Sequence, residues 1–322
     1  MDVEMRRMAS APDAALPDAA ARNWVDRAAP AAWRPYLRLM RLDRPIGAWL
    51  LLFPCWWGQM LAELSIGRRY PSPWYLVLFL AGAIVMRGAG CTYNDIVDRD
   101  YDARVARTAG RPIPSGQVSV QRARLLLAVL ALAGLLILLQ LNGRTVMLGA
   151  ASLLLVAVYP FMKRHTYWPQ LVLGLAFSWG ALLGWSAVTG SLSAASLVLY
   201  AGSVLWTIGY DTIYAHQDKE DDLIVGLKST ALKFGAATAR WLAAFYAGAA
   251  LLWAIAGALA GARLGFFFAL ALAGAQLAWQ VGTLEPDDAD NCLVRFKSNR
   301  FVGVLLALGV AVDVVLAGHA AG

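Results

Sequence analysis

Residues 125–139 read LLLAVLALAGLLILL, an unbroken apolar run. Leu264–Ala275 is a second such run. A backbone inside lipid has no water to bond to, so a helix, which satisfies its own N–H and C=O groups, suits these stretches. Working outward from them, apolar runs long enough to cross a bilayer recur along the chain. They lie at about 46–65, 74–93, 123–141, 145–162, 168–189, 193–214, 241–260, 264–282 and 301–320, each close to the roughly 20 residues a span needs. The expected fold is all-α and polytopic, with about nine transmembrane helices. Composition agrees. The 322 residues are 59% hydrophobic and 15% charged, against about 25% charged in a soluble domain. Three cysteines, none in a Cys-x-x-Cys pattern, and three histidines exclude a disulfide framework and argue against a zinc site.

Residues 1–32 stand apart as an Ala-rich stretch of mixed charge, read as a disordered tail ahead of a membrane domain over 33–322. The Lys and Arg residues are sorted. By this reading 23 lie on the side of the N-terminus and the even-numbered loops, four on the other side, and Arg87 inside the second span. The positive-inside rule then puts the N-terminus and the long loops in the cytoplasm, with a bacterial inner membrane as the expected location. The formal charge of +7 reflects topology and contact with anionic lipid. It makes no case for nucleic acid, and no obligate protein partner is implied.

Two acidic clusters break the pattern, both at cytoplasmic span ends. The first is NDIVDRDYD, residues 94–102. On a helix Asp95, Asp98 and Asp102 share a face, with Asn94 one turn before Asp98. The second is DTIYAHQDKEDD, residues 211–222, where a continuous helix would align Asp211, Asp218 and Asp222. Four spans separate the clusters, so both end on one side and are expected to face each other across the cavity. Carboxylates grouped near lipid need a cationic partner. Oxygen-only donors suit a hard ion, and Mg²⁺ commonly binds through carboxylates together with substrate phosphates. The negative remainder of such a site calls for Arg and Lys, of which Arg44, Arg104, Arg111, Lys163 and Lys228 are expected to bind substrate. The competing reading is a solvated loop paired with its own Lys and Arg, which suits Asp100, Glu220 and Asp221. Arg87, ionisable within a span and two turns before Asn94, is expected to serve the site. Tyr159 and Lys163, one turn apart, fit either the cavity or a membrane interface.

These motifs resemble the UbiA superfamily of intramembrane prenyltransferases. Five further stretches carry the likeness: RLDRPIG (41–47), RPIPSG (111–116), YPFMKR (159–164), GLKST (226–230) and FKSNR (296–300). The long second motif is similar to the branch that prenylates 4-hydroxybenzoate. The haem-farnesylating, chlorophyll and menaquinone branches are less similar around 211–222. The resemblance implies nine helices around a central cavity, and Mg²⁺-dependent transfer of an isoprenoid from polyprenyl diphosphate to an aromatic acid. It implies metal ligation by Asn94, Asp98 and Asp102 with Asp218 and Asp222, with Asp95 inside the motif, and it places Asp211 beside the acceptor. On placement, Asp211 is the expected base for the ring proton. A transporter is the rival from another class, since intramembrane carboxylates also mark ion paths. A scaffold would need no aligned Asp faces, and a soluble prenyl synthase is excluded by the spans.

Overall fold

The structure is a computed structural model that describes residues 23–320. Every element among the described residues is helical. Two short helices, α1 (Trp24–Ala28) and α2 (Arg34–Leu39), lead into α3 (Ile46–Ser65) and α4 (Pro73–Asp102). A single turn of helix, α5 (Ala106–Ala109), precedes α6 (Val120–Leu138) and α7 (Gly143–His165). Then come α8 (Pro169–Ser178), α9 (Gly180–Thr189), α10 (Ala194–Ala215), α11 (Lys219–Val225) and α12 (Thr230–Phe234). The chain closes with α13 (Thr238–Leu259), α14 (Leu264–Gly282) and α15 (Ala289–Ala320).

Each of the nine expected spans is helical, but by length and apolar composition seven segments among the described residues qualify to cross a membrane. The two that do not are α3 and α10, of 20 and 22 residues. The reason is their larger share of polar and aromatic residues. Helix α3 carries Trp57, Gln59 and Glu63, all buried. Helix α10 buries Ser196, Ser203, Thr207 and Thr212, each needing a polar partner rather than lipid. The qualifying helix α6, by contrast, exposes Leu125, Val129, Leu132, Leu135 and Leu136.

Three boundaries differ from expectation. The second span continues through the first acidic motif to Asp102, and the last begins at Ala289 and takes in FKSNR. The expected fifth span is two helices meeting at Trp179. There the Leu182 N–H bonds to the Trp179 carbonyl at 3.0 Å, a tightened turn. Residues 1–22 of the expected tail lie outside the described residues. Within its remainder, Asn23 caps α1 and Asp26 pairs with Arg38 at 2.8 Å.

The chain divides into two compact units, residues up to 48 with 82–137, and 49–81 with 138 onward. The dividing points fall inside α3, α4 and the end of α6. In the first unit Leu39, Ile96, Ile113, Val118 and Ala123 form a buried cluster. In the second, Trp57, Trp206 and Trp253 meet with ring centroids 5.2–5.7 Å apart. Hydrogen bonds tie several polar groups around them. Trp206 donates to Asn299 Oδ1 at 2.7 Å, Asn299 and Tyr246 donate to Gln280 Oε1, and Trp57 donates to the Gly303 carbonyl. Small residues permit close approach of helices in this unit. A Cβ on Gly180 or Gly184 would run into Cys55 on α3, and one on Gly58 into the Ala181 carbonyl. Such contacts let α3 and α9 pack backbone to backbone.

Candidate active site

The first acidic motif belongs to the first unit. Because α4 is unbroken through Asp102, the helical phasing of Asn94, Asp95, Asp98 and Asp102 holds. Asp95 and Asp98 are fully buried and Asp102 nearly so. Asp95 Oδ1 accepts from Arg41 Nη2 at 2.7 Å and from Arg111 Nη1 at 3.5 Å. The same Arg111 nitrogen donates to Asp102 Oδ2 at 2.8 Å. Burial works against the Arg41 charge, but Asp95, Cys91 and Asp43 together outweigh it and the guanidinium holds its proton more tightly than usual.

The loop after α4 explains how Arg111 returns. The Thr108 hydroxyl donates to the Asp102 carbonyl at 2.8 Å. RPIPSG then folds as a turn, with the Ser115 N–H on the Arg111 carbonyl at 3.0 Å and Gly116 at φ 77°. Ile113 and Val118 anchor that turn in the apolar cluster under Ile96. On the other flank Arg41 has φ 58°, the left-handed region that non-glycine residues rarely occupy, and it donates to the Arg38 carbonyl at 3.0 Å.

The second motif belongs to the second unit, and here the expected single helical face is corrected. Helix α10 ends at Ala215, a 3₁₀ turn covers His216–Asp218, and α11 starts afresh at Lys219. Asp211, Asp218 and Asp222 are half-buried, carried on three successive elements. The break has visible supports. His216 is buried with Nε2 3.1 Å from Thr238 Oγ1. Burial and then Lys219 push its imidazole down to about 4, so the ring is neutral. The Thr212 and Thr230 hydroxyls meet at 2.6 Å, and the Thr230 N–H donates to Gln170 Oε1 at 3.0 Å. Gly226 ends α11 at φ 73°.

The cations named from sequence divide. Arg111 stands on the first-motif carboxylates. Arg87 lies on α4 two turns before Asn94 with its guanidinium against Gly47. Tyr159 and Lys163 are half-buried near the end of α7. Arg104 is exposed, over the Tyr101 ring at 5.9 Å. Arg44 Nε is 3.4 Å from Asp43 Oδ2. Lys228 is occupied at the end of α7, where its ammonium is 3.3 Å from the His165 carbonyl and 5.5 Å from the Tyr167 ring. Cations suit a helix C-terminus. Asp100, with its side chain 69% exposed and 3.4 Å from Arg99, is a surface charge as expected. Arg41 is the site neighbour that composition and spacing did not single out. Its signal was present as the charge pair framing Asp43 in RLDR.

Among the described residues, no three metal-ligating side chains converge closely enough to form a metal cage. The donor set nevertheless fits a hard cation. Asn94, Asp98 and Asp102 offer oxygen along one face, and the buried Asp95 Oδ2 has no hydrogen-bond partner, an oxygen that a cation or its hydration water would satisfy.

Buried carboxylates held by guanidinium groups at the end of a long apolar helix define a class: a polytopic helical membrane protein with an ionic site at a helix end. Comparison narrows it. The UbiA prenyltransferase family matches residues 51–306, and the chain belongs to that family. The mitochondrial 4-hydroxybenzoate polyprenyltransferase of Rattus norvegicus is 52% identical over 289 residues, covering 89% of this chain and 76% of its own length. A UbiA homolog from Aeropyrum pernix superposes with a TM-score of 0.69 at 27% identity, over 82% of this chain and 97% of that one. A UbiA homolog from Archaeoglobus fulgidus bound to GPP and Mg²⁺ gives 0.63 at 21% identity, over 88% and 99%; at that identity the likeness supports the fold alone.

Proposed function

We propose that the chain transfers a polyprenyl group from polyprenyl diphosphate to 4-hydroxybenzoate, at the ring carbon ortho to the hydroxyl, and releases diphosphate. The observation that carries this reading is the Arg41–Asp95–Arg111–Asp102 cluster at the end of α4, in a chain about half identical to enzymes named for that reaction. The family match removes the transporter reading.

Mg²⁺ is the cation assigned to Asn94, Asp98 and Asp102 with Asp218 and Asp222, where it would neutralise charge on the departing diphosphate. The chain's own residues do the rest. Arg111 is placed to exchange part of its carboxylate contact for a phosphate oxygen, a contact guanidinium geometry favours. Arg87, deeper along α4, adds fixed positive charge where the leaving group gains negative charge. The allylic C–O bond breaks, the ring carbon forms the new C–C bond, and Asp211 takes the ring proton. Tyr159 is assigned to catalysis and Lys163 to substrate binding.

The protein is an integral membrane protein by its helices and family. The curated relative is named as mitochondrial. The assignment to a bacterial inner membrane, with the motif loops cytoplasmic, therefore rests on charge sidedness alone. The test is to incubate membranes carrying the protein with labelled polyprenyl diphosphate and a panel of phenolic acceptors. Labelled product is expected with 4-hydroxybenzoate above the rest. Equal or better labelling of another acceptor would overturn the assignment.

A further inference from the structure

The segment from Met40 to Gly47, running into the start of α3, is held against α4 at three points, all within the first unit. Met40 packs under Gly88, where an added Cβ would lie 3.1 Å from the methionine side chain. Arg41 is locked to Asp95 at 2.7 Å. At Gly47, buried at the start of α3, the Arg87 guanidinium lies across the glycine's open face. A Cβ on Gly47 would sit 2.5 Å from Arg87 Nε and 2.8 Å from both Cζ and Nη2. The backbone of Gly47 is not in the left-handed region, so conformation does not call for glycine here. Space for the guanidinium does.

We propose that Gly47 is a positioning residue for Arg87: its missing side chain is the slot that sets where the Arg87 charge stands below the first acidic motif. Arg87 precedes Asn94 by seven residues, roughly 10 Å along the helix axis, so the direction its guanidinium takes decides whether it reaches toward the motif. The segment cannot simply retreat, because Met40 against Gly88 and Arg41 on Asp95 hold it to α4. The atoms that would clash are the far end of a flexible side chain. A methyl group at Gly47 therefore displaces the guanidinium and leaves the backbone in place. The inference rests on the reading that Arg87 serves the diphosphate.

The test is a double-mutant cycle on the purified full-length protein, read by equilibrium binding of inorganic diphosphate with Mg²⁺ and by thermal unfolding. Both readouts are independent of turnover. Gly47→Ala is expected to weaken diphosphate binding about tenfold, the size of one charge-assisted contact, with an unchanged unfolding midpoint. In an Arg87→Ala background Gly47→Ala is expected to add nothing. If Arg87→Ala weakens binding and Gly47→Ala does not, or if Gly47→Ala weakens it equally in both backgrounds, the slot is refuted while Arg87 keeps its role. If Arg87→Ala binds diphosphate like the wild type, the underlying reading of Arg87 fails and the slot with it. Should Gly47→Ala lose its fold, the double variant decides. Recovered folding identifies Arg87 as the clashing group, and continued misfolding overturns the proposal.

Discussion

Replacing Arg41 separates two opposing energies that the structure places on one residue. Its side chain is 10% exposed and that of its partner Asp95 is fully buried, with the contact at 2.7 Å. Removing one member of a buried pair leaves an uncompensated charge and costs about 3–5 kcal/mol. Arg111, 3.5 Å from the same oxygen, remains to hold part of that charge, so Arg41→Ala is expected near the lower end. Arg41 also sits at φ 58°, which costs an L-residue roughly 1–2 kcal/mol and glycine almost nothing. Arg41→Gly should therefore be about 1 kcal/mol less damaging than Arg41→Ala, although glycine removes the same side chain. Arg41→Ala with Asp95→Ala should recover stability relative to Arg41→Ala alone, because no buried charge is stranded. Unfolding titrations in mixed micelles measure all four proteins. An Arg41→Ala loss under about 1 kcal/mol, or a glycine variant no better than alanine, would refute the reasoning.

Further outcomes follow from packing and capping. Asp313, buried on α15, accepts from the N–H groups of Arg263, Gly265 and Phe266 at 2.6, 2.9 and 3.1 Å. Asp313→Ala should cost about 2 kcal/mol or more, seen as a lower midpoint and faster hydrogen exchange at the start of α14. Gly184→Ala forces α9 away from the Cys55 carbonyl on α3 and should destabilise clearly, whereas Gly274→Ala, with open space at its Cβ, should be neutral or gain up to about 1 kcal/mol; thermal scans of the pair check this. Lys228→Met removes a cation from the end of α7 and should loosen that loop to proteolysis more than it raises the KM for prenyl diphosphate.

Much of the fold was legible because lipid leaves the backbone few options. Runs such as 125–139 had to be helices. Interior polarity was less legible. Helices α3 and α10 read as spans like the others, and hydropathy alone did not show that their Gln59, Glu63, Thr207 and Thr212 are buried. The first acidic motif was readable down to its face because α4 continues unbroken. The second was not, since the phasing of Asp211, Asp218 and Asp222 presumed one helix and the chain turns at His216. The cation assignments were the least legible. Arg and Lys reach far, and which carbonyl or carboxylate each finds, as with Lys228 on the His165 carbonyl or Arg44 on Asp43, is decided by tertiary packing.

The central claim is that carboxylates on α4 and around α11 serve one Mg²⁺-dependent prenyl transfer. Its most direct test is product formation from labelled polyprenyl diphosphate and 4-hydroxybenzoate in membranes bearing wild type, Asp98→Ala or Asp222→Ala, each with Mg²⁺ and after chelation. The account predicts product from the wild type with Mg²⁺ alone, and its loss in both variants. Near-normal turnover in both variants, or turnover that survives chelation, would contradict it.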